Sequence, residues 1–392
     1  MGVIQHNSTG SVLTQSNWEG TTTHLIGGEA STNIVRSATY VVAASDAPSH
    51  VRAQADYVCD GTADDVEIQT AIDALPSGGG NILLSEGTFI LASPILLGDY
   101  TEFRGSGWNT ILKVGNSTNI SAIRNKDWNV SGHFGITISD LMVDGNKANN
   151  TGESTGGISL AKVLDITITN VYIKNVSGYA GIYCFGVAAS GAEKVIIIGN
   201  IVTGTAKGGG ALGVGIYVTA PQVASAIISD NIVYSCVGRG IFIEDYSTDV
   251  RITNNEVYSN DIGIALNYTD NTVISGNNLR LNGTAIETGA SKQVVILGNT
   301  VRGNTSTGIT ITGDQTVVIS NIVSNNAGNG ILTGATVTGF VIAGNRCFDD
   351  RTPKIQQYGV NLSNNPTNGI VQGNSVQGNL TDGIFPSGGA GV

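Results

Sequence analysis

The sequence predicts an all-β chain: a right-handed parallel β-helix with three strands per coil, about 22–25 residues per coil, and an N-terminal capping helix. Three observations predict it. The phrase Ile-x-x-Asn-x-Val runs through Ile197-Ile198-Gly199-Asn200-Ile201-Val202 and returns around Asn231, Asn255, Asn277, Asn299, Asn321, Asn345 and Asn374. A second phrase, Gly-Ile-x-hydrophobic or a close variant, starts at Gly181, Gly215, Gly240, Gly263, Gly308, Gly330, Gly359 and Gly383, with Ala285 once in place of glycine. Inside each phrase apolar residues fall two apart and β-branched side chains dominate, which is the strand period. The composition, 54 Gly with 7 Pro and 6% aromatics, suits many tight turns around a narrow aliphatic core.

The repeated Asn is expected at a sharp bend, tolerating left-handed dihedrals and bonding to its counterparts in neighbouring coils. In the two preceding coils the same register gives Val171 and Leu141, so the ladder starts at Asn200.

Along the chain, residues 1–50 are poor in repeat signal and read as an arm or attachment segment; the β-helix domain takes 51–392. Over about 64–75, Ile68, Ala71, Ile72 and Leu75 make one apolar helical face. Acids crowd its first turn and Pro76 stops it. Such a helix would cover the open end of a solenoid, where strand edges invite aggregation. Residues 77–150 form irregular first coils, 151–387 the regular ones, and Gly388–Val392 a disordered tail. No stretch of 18 apolar residues occurs, which argues against a membrane-crossing helix. The start, Met1-Gly2-Val3-Ile4, lacks a basic region followed by an apolar run, so an extracellular or virion-associated protein would have lost its leader or left the cell by another route. Cys184 and Cys347 fall on inward positions, and no Cys/His cluster suggests zinc.

The run Asp60-Gly61-Thr62-Ala63-Asp64-Asp65-Val66-Glu67-Ile68-Gln69-Thr70-Ala71-Ile72 resembles the N-terminal signature of the pectate-lyase-like β-helix superfamily, as do Gly78-Gly79-Gly80, Ser85-Glu86-Gly87-Thr88-Phe89 and Phe103-Arg104-Gly105-Ser106-Gly107. The resemblance implies a capping helix, a Gly-rich turn and the first coils. It extends at fold level over most of 56–392. The superfamily includes polysaccharide lyases, glycoside hydrolases, uronate epimerases and phage tail spikes, and fold does not choose among them. The opening Gly10-Ser11-Val12-Leu13-Thr14-Gln15-Ser16-Asn17-Trp18-Glu19-Gly20 is similar to those of phage structural proteins. The Asp-Pro-His of alginate epimerases and the polygalacturonase motif set are both absent, and all four His precede the regular coils.

Chemistry is therefore expected on outward positions of the second phrase. Tyr183, Tyr217 and Phe242, with Asn267 and Tyr268, are the candidate sugar-binding residues, because rings pack on pyranose faces. Glu244, Glu287, Asp245 and Asp270 are the candidate acids. Glu244 and Glu287 lie two coils apart, roughly 10 Å between Cα atoms, which could yield the carboxylate separation of an inverting glycosidase. The plain alternatives are a solvated acidic surface and a stabilising aromatic stack. An elimination reaction needs a base, for which Arg239 or Arg251 could serve, and Ca²⁺ held by Asp245, Asp249, Asp261 and Asp270 could offset the net charge of −11. Asp140 and the turn pair Asp144-Gly145 read as structural.

Three readings stay open: a polysaccharide-cleaving enzyme, hydrolase or lyase; a phage tail spike or fibre, expected as a homotrimer; and a non-catalytic adhesin or structural solenoid. A polysaccharide is the expected partner, and no basic stripe points to nucleic acid.

Overall fold

The computed structural model describes residues 38–128, 133–152, 156–186, 194–206, 212–219, 225–362 and 365–386, with four two-residue strands nearer the N-terminus. Most of the Gly10–Gly20 opening and the Gly388–Val392 tail lie outside the described residues. The chain divides into two compact units, Met1–Ala38 and Thr39–Val392. In the first, Gln5–His6 pairs antiparallel with Val12–Leu13, and Leu25–Ile26 with Glu29–Ala30.

Among the described residues of the second unit every strand pairing is parallel, and from Gly80–Leu84 onward each joins a strand to its counterpart one coil away. The second-phrase strands and their counterparts in the first coils build a twelve-stranded sheet from Ile95–Leu97 to Asp382–Phe385, and the first-phrase strands join those of the earlier coils in a 24-stranded sheet. Ile216, Ile241, Ile264, Ile286, Ile309 and Ile331 align in one row, with 25, 23, 22, 23 and 22 residues between successive members. All six are fully buried in one continuous aliphatic core.

Tyr40-Val41-Val42 differs from the expectation of an arm. Ala38–Ala43 is a strand of the larger sheet, Val42, Ala43 and Ala44 are fully buried, and residues 39–50 belong to the β-helix unit. The helix forms over Asp65–Asp73 and packs Ile68, Ala71 and Ile72 into the core. Its side chains also take up backbone amides of the first coil: Ile90 N–H donates to Asp64, Ala92 N–H to Asp65 and Leu96 N–H to Gln69. These are donors that an unprotected sheet edge would leave open.

The Asn ladder is present, but the left-handed residue is the one before it. Gly199, Asp230, Asn254, Gly276, Gly298, Ser320, Gly344 and Gly373 have φ between 56° and 68°. The Asn that follows faces inward and is buried from Asn200 to Asn345, and half-buried at Asn374. Asn277, for example, donates from Nδ2 to Ile252 O (2.9 Å) and Asn299 Oδ1 (3.0 Å), while its Oδ1 accepts from Asn255 N–H (2.8 Å). Sequence reading missed a second ladder: Asn260, Asn282, Asn304 and Asn326 repeat this pattern at the next corner and continue through Gln356 to Asn379. Its signal was available, because Asn recurs five residues after ladder Asn at 260, 282, 304, 326 and 379.

The phrase glycine is required by space. A Cβ on Gly215 would lie 2.4 Å from Val233 Cγ1 and 2.6 Å from the Gly240 carbonyl oxygen. Glycine and the isoleucine after it both face the core, so the residue before the glycine emerges on the outer face. That is how Val214 and Ile262 come to pack with Tyr217 and Phe242 outside the barrel.

Candidate functional site

The outer face of the twelve-stranded sheet carries an aromatic row set by register: Tyr183 pairs with Tyr217, Tyr217 with Phe242, Phe242 with Ala265 and Ala265 with Glu287. Ring centroids are 5.2 Å apart for Tyr183–Tyr217 and 5.0 Å for Tyr217–Phe242, the latter pair at 13°. Tyr179 packs beside Tyr183 and Tyr217, and the Arg239 guanidinium lies 4.3 Å from the Phe242 centroid. The expected open platform is therefore not formed by Tyr217 and Phe242, each 3% exposed. Their faces stack on each other along the helix axis, and Arg239 closes the end. The open rings lie one turn further on, where Tyr246 (63% exposed) and Tyr268 (49%) stack 5.7 Å apart.

Between the buried row and this exposed pair sits Glu244, half-buried. One carboxylate oxygen accepts from the Tyr217 hydroxyl and the other from Asn267 Nδ2 (3.1 Å). Asn267 is its register partner one coil on. Asp245 follows at the strand exit and accepts from Thr219 Oγ1 (2.9 Å). Asp245, Tyr246 and Tyr268 all have left-handed backbones, with φ of 59°, 62° and 52°. Asp adopts that conformation readily, but for an aromatic residue it costs about 1–2 kcal/mol. Two strained tyrosines beside a doubly anchored carboxylate mark this exit as a candidate site.

Burial and then the hydrogen bond to Glu244 push the Tyr217 phenol well above its ordinary pKa, and burial followed by Tyr179 does the same to Tyr183. Both are neutral hydrogen-bonding groups here, not bases.

The remaining candidates fall as follows. Glu287 lies in the Phe242 row, two coils and two residues away from Glu244, so their Cα atoms are about 12 Å apart, not about 10 Å. Asp270 is exposed and bridges Thr248 and Lys292 at the following turn. Arg239 Nε is buried and has no hydrogen-bond partner among the described residues. Arg251 lies on the other sheet, away from this face. Asp245, Asp249, Asp261 and Asp270 do not converge as Ca²⁺ ligands; among the described residues the grouped ligand atoms are those of Cys59, Asp64 and Glu67, by the helix. All four cysteines are buried free thiols. Among the described residues no helix is long and apolar enough to cross a membrane.

A family model described as "Right handed beta helix region" matches residues 212–347 and 248–392. The A-module of mannuronan C-5 epimerase AlgE4 from Azotobacter vinelandii is similar in structure, with TM-score 0.68 and 19% identity over 84% of this chain and 95% of that one. The catalytic domain of a GH87 alpha-1,3-glucanase in complex with tetrasaccharides aligns with TM-score 0.60 and 16% identity over 78% of this chain and 61% of that one. DFA-IIIase from Arthrobacter chlorophenolicus A6, in complex with GF2, gives TM-score 0.57 and 12% identity over 86% and 98%. No curated protein sequence matches the chain. Repeat, register and these likenesses agree: the chain is a right-handed parallel β-helix, and its residues 212–392 carry the match to that family.

Proposed function

We propose that the chain binds a polysaccharide across the outer face of the twelve-stranded sheet and cleaves it at Glu244. The observation that carries this is the Glu244 carboxylate, fixed between the Tyr217 hydroxyl and the Asn267 amide, beside the exposed Tyr246–Tyr268 pair. A sugar stacked on Tyr246 or Tyr268 would bring its hydroxyls or glycosidic oxygen toward Glu244 and Asp245. In this reading those two acids share the acid–base work, with Glu287 as the alternative second carboxylate. The names of the similar structures include a mannuronan epimerase and an alpha-1,3-glucanase, which supports a glycan substrate. An extracellular or virion-associated setting belongs to the same proposal.

Elimination is the second reading, with Arg239, whose guanidinium lies on the same face against the Phe242 ring, as the candidate base. The experiment is a polysaccharide panel read for reducing ends and for unsaturated ends. Reducing ends alone, lost in Glu244→Gln, support hydrolysis; unsaturated ends, lost in Arg239→Ala, support elimination. Cleavage that survives Glu244→Gln, Asp245→Asn and Arg239→Ala would overturn the site.

A further inference from the structure

A second polar face lies on the 24-stranded sheet, on the strands that follow the Asn ladder. One of its outer rows runs Tyr234, Tyr258, Arg280, Arg302 by direct register. Tyr234 and Tyr258 stack at 4.8 Å and 5°, and the Arg280 guanidinium lies 4.0 Å from the Tyr258 centroid. Arg280 is held by Glu256 at 2.8 Å, and Arg346 in the adjacent row lies 4.5 Å from the centroid of Phe348. From Tyr172 to Gln377 these two rows hold Lys174, Arg280, Arg302 and Arg346 against Glu256, in a chain of net charge −11; Lys174 pairs at 3.8 Å with Asp144, its register partner one coil earlier, which leaves the excess positive charge at Arg302 and Arg346. Arg302 and Arg346 are exposed and have no carboxylate partner among the described residues.

We propose that this column is a binding surface for an acidic glycan, separate from the Glu244 face. Planar groups stacked at the coil spacing are rigid, so their hydroxyls and guanidinium N–H groups form a fixed line of donors along the axis. Carboxylates or sulfates spaced along a polymer accept from such a line, and a guanidinium can engage each in bidentate fashion. Nucleic acid fits less well, because Tyr234 and Tyr258 stack on each other and Arg280 covers Tyr258, whereas a base needs an open ring face. The surface rests on its own residues and does not depend on catalysis at Glu244.

The test is binding of the full chain, in the Glu244→Gln background so that turnover does not interfere, to immobilised polygalacturonate, a sulfated glycosaminoglycan, dextran and oligothymidylate. The acidic glycans are expected to bind and to weaken with added salt. Arg302→Glu with Arg346→Glu, both at exposed positions, should raise Kd about tenfold or more while the unfolding midpoint stays put. Which acidic polymer binds identifies carboxylate or sulfate as the recognised anion. Unchanged affinity in the double variant, equal binding of dextran, or oligothymidylate binding as tightly as either glycan overturns the proposal. A cleavage panel that fails leaves this result standing, so the two readings fail separately.

Discussion

Replacing Asn277 by alanine probes the interaction that sets the corner of each coil from Asn200 onward. The side chain is 1% exposed, and its removal leaves the Ile252 carbonyl and the Asn255 amide without their partners. Asn299 Oδ1 keeps its bond from the Asn277 backbone amide, and Asn255 Nδ2 keeps the Ile228 carbonyl. Two buried polar groups are therefore orphaned, at about 1–3 kcal/mol each, for a total near 4 kcal/mol. The neighbouring Asn278 is the control. Its Oδ1 has no hydrogen-bond partner among the described residues, so Asn278→Ala should change stability by less than about 0.5 kcal/mol. Urea unfolding followed by circular dichroism gives the two differences. Because each coil of a solenoid touches only its neighbours, hydrogen exchange should localise the damage to Ile252–Arg302 and spare the first coils. Equal stability of the two variants, or protection lost evenly along the chain, would refute the ladder as the source of corner stability.

Further outcomes follow from the same structure. Asn282→Ala in the second ladder should destabilise to a similar degree, since it orphans the Val257 carbonyl and the Asn260 amide, again read by urea unfolding. Burial opposes the charge on Asp349, but Arg351 and the amides of Gln356 and Ile355 hold its carboxyl well below the ordinary range. A depressed folded pKa contributes stability above the unfolded value, near 3.9, that is lost as pH falls toward the folded one. Asp349→Asn should cost about 2 kcal/mol at neutral pH and flatten the decline in stability below about pH 4, measured by unfolding across a pH series. Burial pushes the Cys184 and Cys347 thiols up to about 12 and Cys236 up to about 11, so a thiol reagent at pH 8 should label none of them until the chain is unfolded.

The fold was legible because a parallel solenoid repeats its demands. Each coil must turn the same corners and fill the same core, so Asn and Gly-Ile recur at the coil length and the strands can be placed by counting. The second ladder escaped because its Asn residues sit in variable surroundings, as in Ser259-Asn260-Asp261 and Leu281-Asn282-Gly283, with no apolar phrase around them. The site was legible in residue type but not in geometry. Alternation shows that Tyr217, Phe242 and Glu244 point outward, and they do. It does not show that rings one coil apart cover one another's faces, which buries Tyr217 and Phe242 and leaves Tyr246 and Tyr268 open. Nor does counting coils alone separate two acids that differ in their position along the strand, which is why Glu287 aligns with Phe242 and Ala265 instead of with Glu244.

The most direct test of the central claim is a hydrogen-exchange footprint of the Glu244→Gln chain, with and without an oligosaccharide cut from the polymer that the panel identifies. New protection is expected at Glu244–Tyr246 and Asn267–Tyr268, whether or not an acidic oligosaccharide also protects the Tyr258–Arg302 column of the other sheet. Protection confined to any other face, or none at saturating oligosaccharide, would contradict a glycan site at Glu244.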